Sequence, residues 1–541
     1  MSKEQAENTP HPKQPFQKHS TSHSITIATL IMMSSVLLSR VIGLLREMIL
    51  ARYGGTSYEM DAYVTAFIVP ELLNHFLAGG FLSITFIPIF QKHLIASREK
   101  DAWESFSNLL SIGSLVFLIL IPVTVIFTPN VLLLLGPHIK DPENFSLTVK
   151  LTRIILPAQL FFYWGAFLNA VQMSYKRFFL PALAPLGYNG GIILGGILLG
   201  PYIGIEGFAW GVLGGAIIGN FLIQLPGAIG CGMRFTFRCN ISHPDVKQYI
   251  LKTIPLILGL GMTFSNEVFF RFFGSFLPEG GTSSVNYALR TMMMVVAVFG
   301  QASGVAFYPF LSTLAAEKKF SEMGALLGKV LRNIALYLFP LSAILFVNAH
   351  SIISILYERG RFTSQSAIET AGVFSIYLIG SFFFSASMII SRSFYALQKM
   401  IFPMTVSTIV ACLTIPMYLY FSATLGARGI AVAAVCGMVC QFLTLLFFWT
   451  KHYGNIKEEL SRITMIFIIV VITLISSGIG FFFRKWLTST LHLEPPLLSH
   501  FVITTLVAVP MLAVTFFLYD RTGIQTFRDS LNGLLRKKRT K

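Results

Sequence analysis

The first apolar run of the chain carries charge where charge is costly. It reads Leu38-Ser39-Arg40-Val41-Ile42-Gly43-Leu44-Leu45-Arg46-Glu47, with Arg52 shortly after. An arginine at the centre of a bilayer costs at least ~2.5–3.5 kcal/mol on insertion scales, so it faces a partner or a wet cavity. Arg40 and Glu47 are seven residues apart and share a helix face, which permits one ion pair and leaves Arg46 without one. Arg52 ends the run, where its guanidinium can snorkel to the interface. In the second half, Arg290 closes Asn286-Tyr287-Ala288-Leu289-Arg290 with no acid beside it. Guanidinium groups at such positions suit an anion held by charge-assisted hydrogen bonds, phosphate above all. The competing reading is that each arginine is internal glue.

The acids are fewer. Asp61 opens the second apolar run, as a gate or as an N-terminal helix cap. Glu71 follows Pro70, where a broken helix exposes backbone polar groups; it faces water, carries a proton or pairs locally. Glu267 and Arg271 stand at i, i+4, the spacing of a local ion pair. Residues 400–450 contain no Asp or Glu, so no carboxylate site for a coupling cation is expected there. The five cysteines (Cys231, Cys239, Cys412, Cys436, Cys440) show no metal spacing, and neither a disulfide nor a metal is expected. No Walker A, HExxH or GxSxG sequence is present, and no catalytic residue, cofactor or ATP hydrolysis is expected.

The elements that must position these residues are membrane helices. Of 541 residues, 54% are hydrophobic and 12% charged, with a mean hydropathy of +0.69, against about 25% charged in soluble domains. Apolar runs of about 20 residues match the hydrocarbon thickness of a bilayer. Fourteen spans are predicted near 24–52, 60–91, 106–128, 147–173, 181–202, 205–229, 248–273, 281–311, 325–357, 364–395, 400–423, 427–450, 462–483 and 498–519. The first, second, eighth, ninth and tenth exceed the bilayer and must tilt, bend or project. Residues 1–23 are polar and are expected to be a disordered tail. The net charge of +17 sits mainly in alternate loops (Lys92, Lys176, Arg177, Arg234, Arg238, Lys318, Lys399, Lys451) and in the tail Arg536 to Lys541. That asymmetry places those loops and both termini in the cytoplasm, and points to membrane lipid rather than nucleic acid as the partner of the basic residues.

An internal repeat organises the spans. Lys176-Arg177-Phe178-Phe179-Leu180-Pro181 resembles Gln398-Lys399-Met400-Ile401-Phe402-Pro403 at an offset of 222, and Gly204-Ile205-Glu206-Gly207 resembles Gly426-Ala427-Arg428-Gly429 at the same offset. Phe86-Ile87-Pro88 resembles Phe307-Tyr308-Pro309 at 221. The expected architecture is all-α: a lobe over 24–230, a cytoplasmic linker over 231–247, a second lobe over 248–450 related by a pseudo-twofold along the membrane normal, two further helices over 451–520 and a basic tail over 521–541. The pairs Gly190-Gly191, Gly195-Gly196 and Gly214-Gly215 are read as helix-packing devices.

Ser39 to Glu47, Ala51-Arg52-Tyr53-Gly54, Asp61-Ala62-Tyr63, Phe76 to Phe81, Phe86-Ile87-Pro88, Tyr287-Ala288-Leu289-Arg290, Leu356 to Phe362 and Ser393-Phe394-Tyr395-Ala396 together resemble the MurJ (MviN) family of lipid II flippases. The resemblance implies a MOP-type exporter with two six-helix lobes around a cavity and a lipid-tail groove at the last two helices. It implies that Arg40, Arg46 and Arg290 match the family's pyrophosphate-binding arginines, and that Asp61 matches a helix 2 acid. Asn74 stands where the family usually has Arg, Gly79 where it has Glu, Leu289 where it has Asp and Met293 near another Glu. The expected function is translocation of lipid II to the outer leaflet for peptidoglycan synthesis, with cell-wall synthesis proteins as possible partners. Alternatives are a flippase for another undecaprenyl-linked saccharide, a drug/cation antiporter of the same superfamily, and a non-transporting scaffold.

Overall fold

In the computed structural model, residues 22–77, 81–135, 141–258, 262–454, 456–490, 496–522 and 524 are described. The tails, Gly79 and Lys140 lie outside them. The first half contains α1 (Ser22–Gly54), α2 (Tyr58–Thr65), α3 (Ile68–Leu77), α4 (Phe81–Ile95), α5 (Glu99–Leu135), α6 (Pro142–Ile155), α7 (Ala158–Ser174), α8 (Phe179–Ile203), α9 (Glu206–Gly215) and α10 (Gln224–Gly230). The second contains α11 (Pro244–Leu258), α12 (Met262–Gly274), α13 (Gly281–Val296), α14 (Ala302–Ala316), α15 (Phe320–Val347), α16 (Ala349–Tyr357), α17 (Ser364–Ala396), α18 (Ile401–Leu425) and α19 (Ala427–Tyr453). Two helices follow, α20 (Ile456–Thr490) and α21 (Pro496–Arg521), packed on α15 and α16. Among the described residues, eleven helices are long and apolar enough to cross a membrane. The other three predicted spans correspond to α1, to α2–α4 and to α11–α12.

The backbone carries the repeat more clearly than the side chains do. The helices α8 and α18 have 25 residues each, begin 222 residues apart, and end on Gly204 and Gly426, both with φ +60°. Lys176 and Gln398 both have φ +59°, and Ser97 and Lys318 both +58°. Each of these four residues ends a helix with the same reversal, in which the next N–H returns to a carbonyl five residues back, as in Arg177 N to Gln172 O and Lys399 N to Phe394 O. Glycine spacing sets the closest helix approach. A Cβ on Gly191 would lie 2.3 Å from the Gly215 Cα, and one on Gly215 would lie 2.5 Å from the Tyr188 carbonyl. Gly190 and Gly214, by contrast, have open space. Within lipid such close van der Waals contact supplies the cohesion that water supplies elsewhere.

The second predicted span is not one helix. The ring nitrogen of Pro70 cannot donate to the Ala66 carbonyl, and the chain breaks between α2 and α3. The Thr152 hydroxyl on α6 donates to that freed carbonyl at 3.3 Å. The fourth and ninth spans break too, at Leu156-Pro157 and at Asn348. The guanidinium of Arg484 on α20 donates to the Val347 carbonyl at the second break.

The linker between the halves lies along α5. Thr236 N, Arg238 N and Asn240 N donate to Ser107, Ser111 and Asn108 at 3.2, 3.3 and 2.9 Å. At its end the Asp245 carboxylate pairs with His93 Nε2 at 2.8 Å and accepts from the Ser105 hydroxyl. Burial pushes that carboxyl up, but the bonds from Ser105 and His93 outweigh it and hold Asp245 below its ordinary range.

Candidate functional site

A cavity of about 330 Å³ opens between the halves, lined by α1, α2, α3, α6, α7, α8, α9, α12 and α13. Its charged lining consists of three guanidinium groups, from Arg46, Arg271 and Arg290, and three carboxylates, from Glu47, Glu71 and Glu267. Arg46 donates to Asn189 Oδ1 at 2.9 Å and pairs with Glu47. Arg290 pairs with Glu267 at 3.1 Å. The Arg271 guanidinium grips Glu71 with two nitrogens, Nη2 to Oε1 at 2.9 Å. Arg46 and Glu47 come from α1, Glu71 from α3, Glu267 and Arg271 from α12, and Arg290 from α13. Glu71 reaches the cavity because the break at Pro70 re-aims α3.

Several buried polar atoms around this space have no protein partner: Arg46 Nε, Glu47 Oε2, Gln159 Oε1 and Arg271 Nε. Buried polar groups are nearly always satisfied, so a cluster of orphans marks a place built for a polar occupant. The volume is at the small end of the ~300–1,000 Å³ typical of ligand pockets. It suits a compact anion rather than a large head group.

The sequence-derived residues divide. Arg46, Arg290, Glu71 and Asn74 line the cavity together. Arg40 does not; it is exposed and donates to Gln301 Oε1 at 2.6 Å, on the π-helical turn that joins α13 to α14. Glu47 pairs with its neighbour Arg46, not with Arg40 as the shared helix face allowed, while Arg40 turns to Gln301. Glu267 and Arg271 do not pair with each other despite their spacing. Arg290 and Glu71 offer each of them a better partner across helices. Arg52 is exposed and enters the architecture through its backbone carbonyl, which accepts from Arg361 N at 2.9 Å. Asp61 is buried and does cap a helix, but that of the other half: it accepts from Gly280 N and Ser283 N at 2.7 Å each, at the start of α13. The cap of α2 is Ser57. From the sequence, Glu267 and Arg271 read as a local ion pair and were not among the candidate cavity residues. The only available signal was that they are charges in an apolar run, which the i, i+4 spacing explained away.

Above the cavity the halves are closed against each other. Besides those of Asp61 and of the Arg52 carbonyl, the contacts include Glu59 with Arg361 at 2.5 Å, Tyr58 N with Glu279 at 3.1 Å, the Thr56 and Ser366 hydroxyls at 2.6 Å, and the Tyr287 hydroxyl with the Gly55 carbonyl at 3.2 Å.

Comparison with known proteins bears on what this cavity serves. The profile of the family described as "Lipid II flippase MurJ" matches residues 50–498. The chain belongs to the lipid II flippase MurJ family. It is 29% identical over 427 residues to the lipid II flippase MurJ of Burkholderia cenocepacia, covering 77% of this chain and 82% of the relative. It is 28% identical over 445 residues to a probable lipid II flippase MurJ of Synechocystis, covering 79% and 82%. The fold is that of a solved lipid II flippase MurJ in an inward closed conformation, with a TM-score of 0.74, 24% identity, and 91% and 99% of the two chains covered. A multidrug MATE transporter of the MOP superfamily in an inward-facing conformation gives 0.61 at 15% identity, covering 79% and 99%. As a MurJ family member the protein is a multi-pass protein of the bacterial inner membrane. Asn74 lines the cavity, Leu289 is buried away from it and Met293 packs against the central core.

Proposed function

We propose that the protein carries lipid II from the cytoplasmic to the outer leaflet by alternating access, for peptidoglycan synthesis. One observation supports this above the others: Arg46 from the first half and Arg290 from the second line one cavity between the halves. A pyrophosphate there meets guanidinium groups from both moving bodies, so its binding and their rocking are linked. Arg40, below on α1, meets the anion on its way in. The small chamber takes the pyrophosphate, and the saccharide-peptide head extends beyond it. The domain limits of this reading are 24–230 and 248–450 for the lobes, with 231–247 as linker. Residues 451–520, including α20 and α21, form the groove for the lipid tail, and both termini are cytoplasmic. The membrane potential biases any charged step by ~2.3 kcal/mol per charge per 100 mV, and no nucleotide hydrolysis is invoked.

The test is complementation of a strain depleted of its lipid II flippase, together with a vesicle flipping assay. The wild-type chain restores growth and moves lipid II; Arg46→Ala and Arg290→Ala at equal protein levels do neither. Normal flipping by both variants would sink the assignment. Asn74 favours a second reading, a flippase for another undecaprenyl-linked saccharide. Under it, depletion in the native host removes surface polysaccharide without causing lysis.

A further inference from the structure

The contacts that close the halves above the cavity differ in what they can sense. Glu59–Arg361, Tyr58–Glu279, Asp61 with α13, and Tyr287–Gly55 use groups that do not line the cavity. Glu71–Arg271 also joins the halves, α3 to α12, and both of its residues line the cavity. Among the described residues it is the one side-chain ion pair between the halves that an occupant can touch.

Its construction is asymmetric. The Arg271 side chain is 2% exposed and that of Glu71 26%. The guanidinium therefore sits behind, stacked over the Phe270 ring at 5.2 Å, and the carboxylate faces the cavity. Glu71 and Arg290 line the same cavity. An anion seated on Arg290 lies beside Glu71 and repels it, while Arg271 Nε has no protein partner and can take a second anion. The break at Pro70 makes α3 a short segment of its own, able to shift without α2. Breaking a buried pair without replacing the lost partner is strongly unfavourable, so the pair holds until a second anion arrives.

We propose that Glu71–Arg271 is the cavity-facing bolt of the outer closure, and that the substrate's pyrophosphate draws it by displacing Glu71 from Arg271. The proposal rests on the pyrophosphate reading of the cavity and adds what that anion does to the gate. It makes Arg271 a positioning residue in the empty state and a phosphate ligand in the loaded one.

The experiment uses the full chain in lipid nanodiscs, its five cysteines replaced, with spin labels at Glu143→Cys and Glu369→Cys near the outer ends of α6 and α17. Pulsed electron resonance reads the distance between them with and without inorganic pyrophosphate. In the parent, pyrophosphate raises a longer-distance population saturably. Glu71→Gln shows that population at least tenfold enriched without any anion, and the charge exchange Glu71→Arg with Arg271→Glu restores the short distance. A short distance in Glu71→Gln that still lengthens with pyrophosphate as in the parent would overturn the bolt. The cavity reading has its own control. If Arg290→Gln responds to pyrophosphate like the parent, the pyrophosphate site itself is wrong; if it loses the response, the site stands whatever becomes of Glu71.

Discussion

Asp61 of the first half and Ser283 of the second are hydrogen-bonded to each other, the Ser283 N–H donating to the carboxylate at 2.7 Å. The carboxylate takes two N–H groups of α13 that have no partner within that helix, the role of an N-cap supplied from the other half.

Removing that cap weakens the closure rather than either half. Asp61→Ala is expected to cost ~1–2 kcal/mol of the closed state, which shifts the open fraction by about 5- to 30-fold. The rate at which a membrane-impermeant maleimide modifies Thr56→Cys reports it. An unchanged rate would mean that the cap does not hold the gate.

Glu267 competes with any anion for Arg290. Glu267→Gln is expected to tighten inorganic pyrophosphate binding by about tenfold, equivalent to about 1.4 kcal/mol, and to lower thermal stability because Arg290 loses its buried partner. Calorimetric titration and a melting curve should move in opposite directions. Weaker binding in Glu267→Gln would show that the carboxylate orients Arg290 instead of competing for it.

Adjacent glycines give opposite signs. Gly215→Ala drives a methyl into the Tyr188 carbonyl and is expected to cost ~1–3 kcal/mol. Gly214→Ala points into open space and is expected to stabilise by ~0.4–1 kcal/mol, by restricting the unfolded chain. Melting temperatures of the two variants, measured in one detergent, decide it.

The linker has an acid limit. Asp245 titrates lower in the fold than its unfolded value of about 3.9. Its carboxylate therefore stabilises the linker fully above about pH 4, and this contribution is lost as pH falls through the lower folded value. Hydrogen exchange around 244–248 should stay slow down to about pH 4 and accelerate below it. Asp245→Asn should exchange faster at neutral pH and lose that dependence; a variant as protected as the parent would remove the carboxylate from the account.

The helical architecture and the repeat were legible because apolar run length and Gly-Pro punctuation are local properties. Lys176, Gly204 and their partners 222 residues on occupy matching backbone states. The interruption inside the second span was only partly legible: Pro70 announces the break between α2 and α3, but that break needs Thr152, 86 residues from Ala66, to satisfy the freed carbonyl. The cavity was legible as arginines in search of an anion, and Arg46 and Arg290 do meet. Their carboxylates were not assigned correctly. Which acid faces which base across helices depends on rotation about each helix axis, and spacing along one helix is silent on that. Glu267 and Arg271 illustrate the failure: neighbours on one helix, they face partners on two others.

The duplication of the framework does not extend to its ionic groups. The first half gives the cavity Arg46, Glu47 and Glu71 and the second gives it Glu267, Arg271 and Arg290, so the two halves bring charge of opposite net sign to it. A twofold scaffold bearing one unduplicated set of charges has a single seat for an anionic passenger. The two halves, alike in shape, are not interchangeable in work.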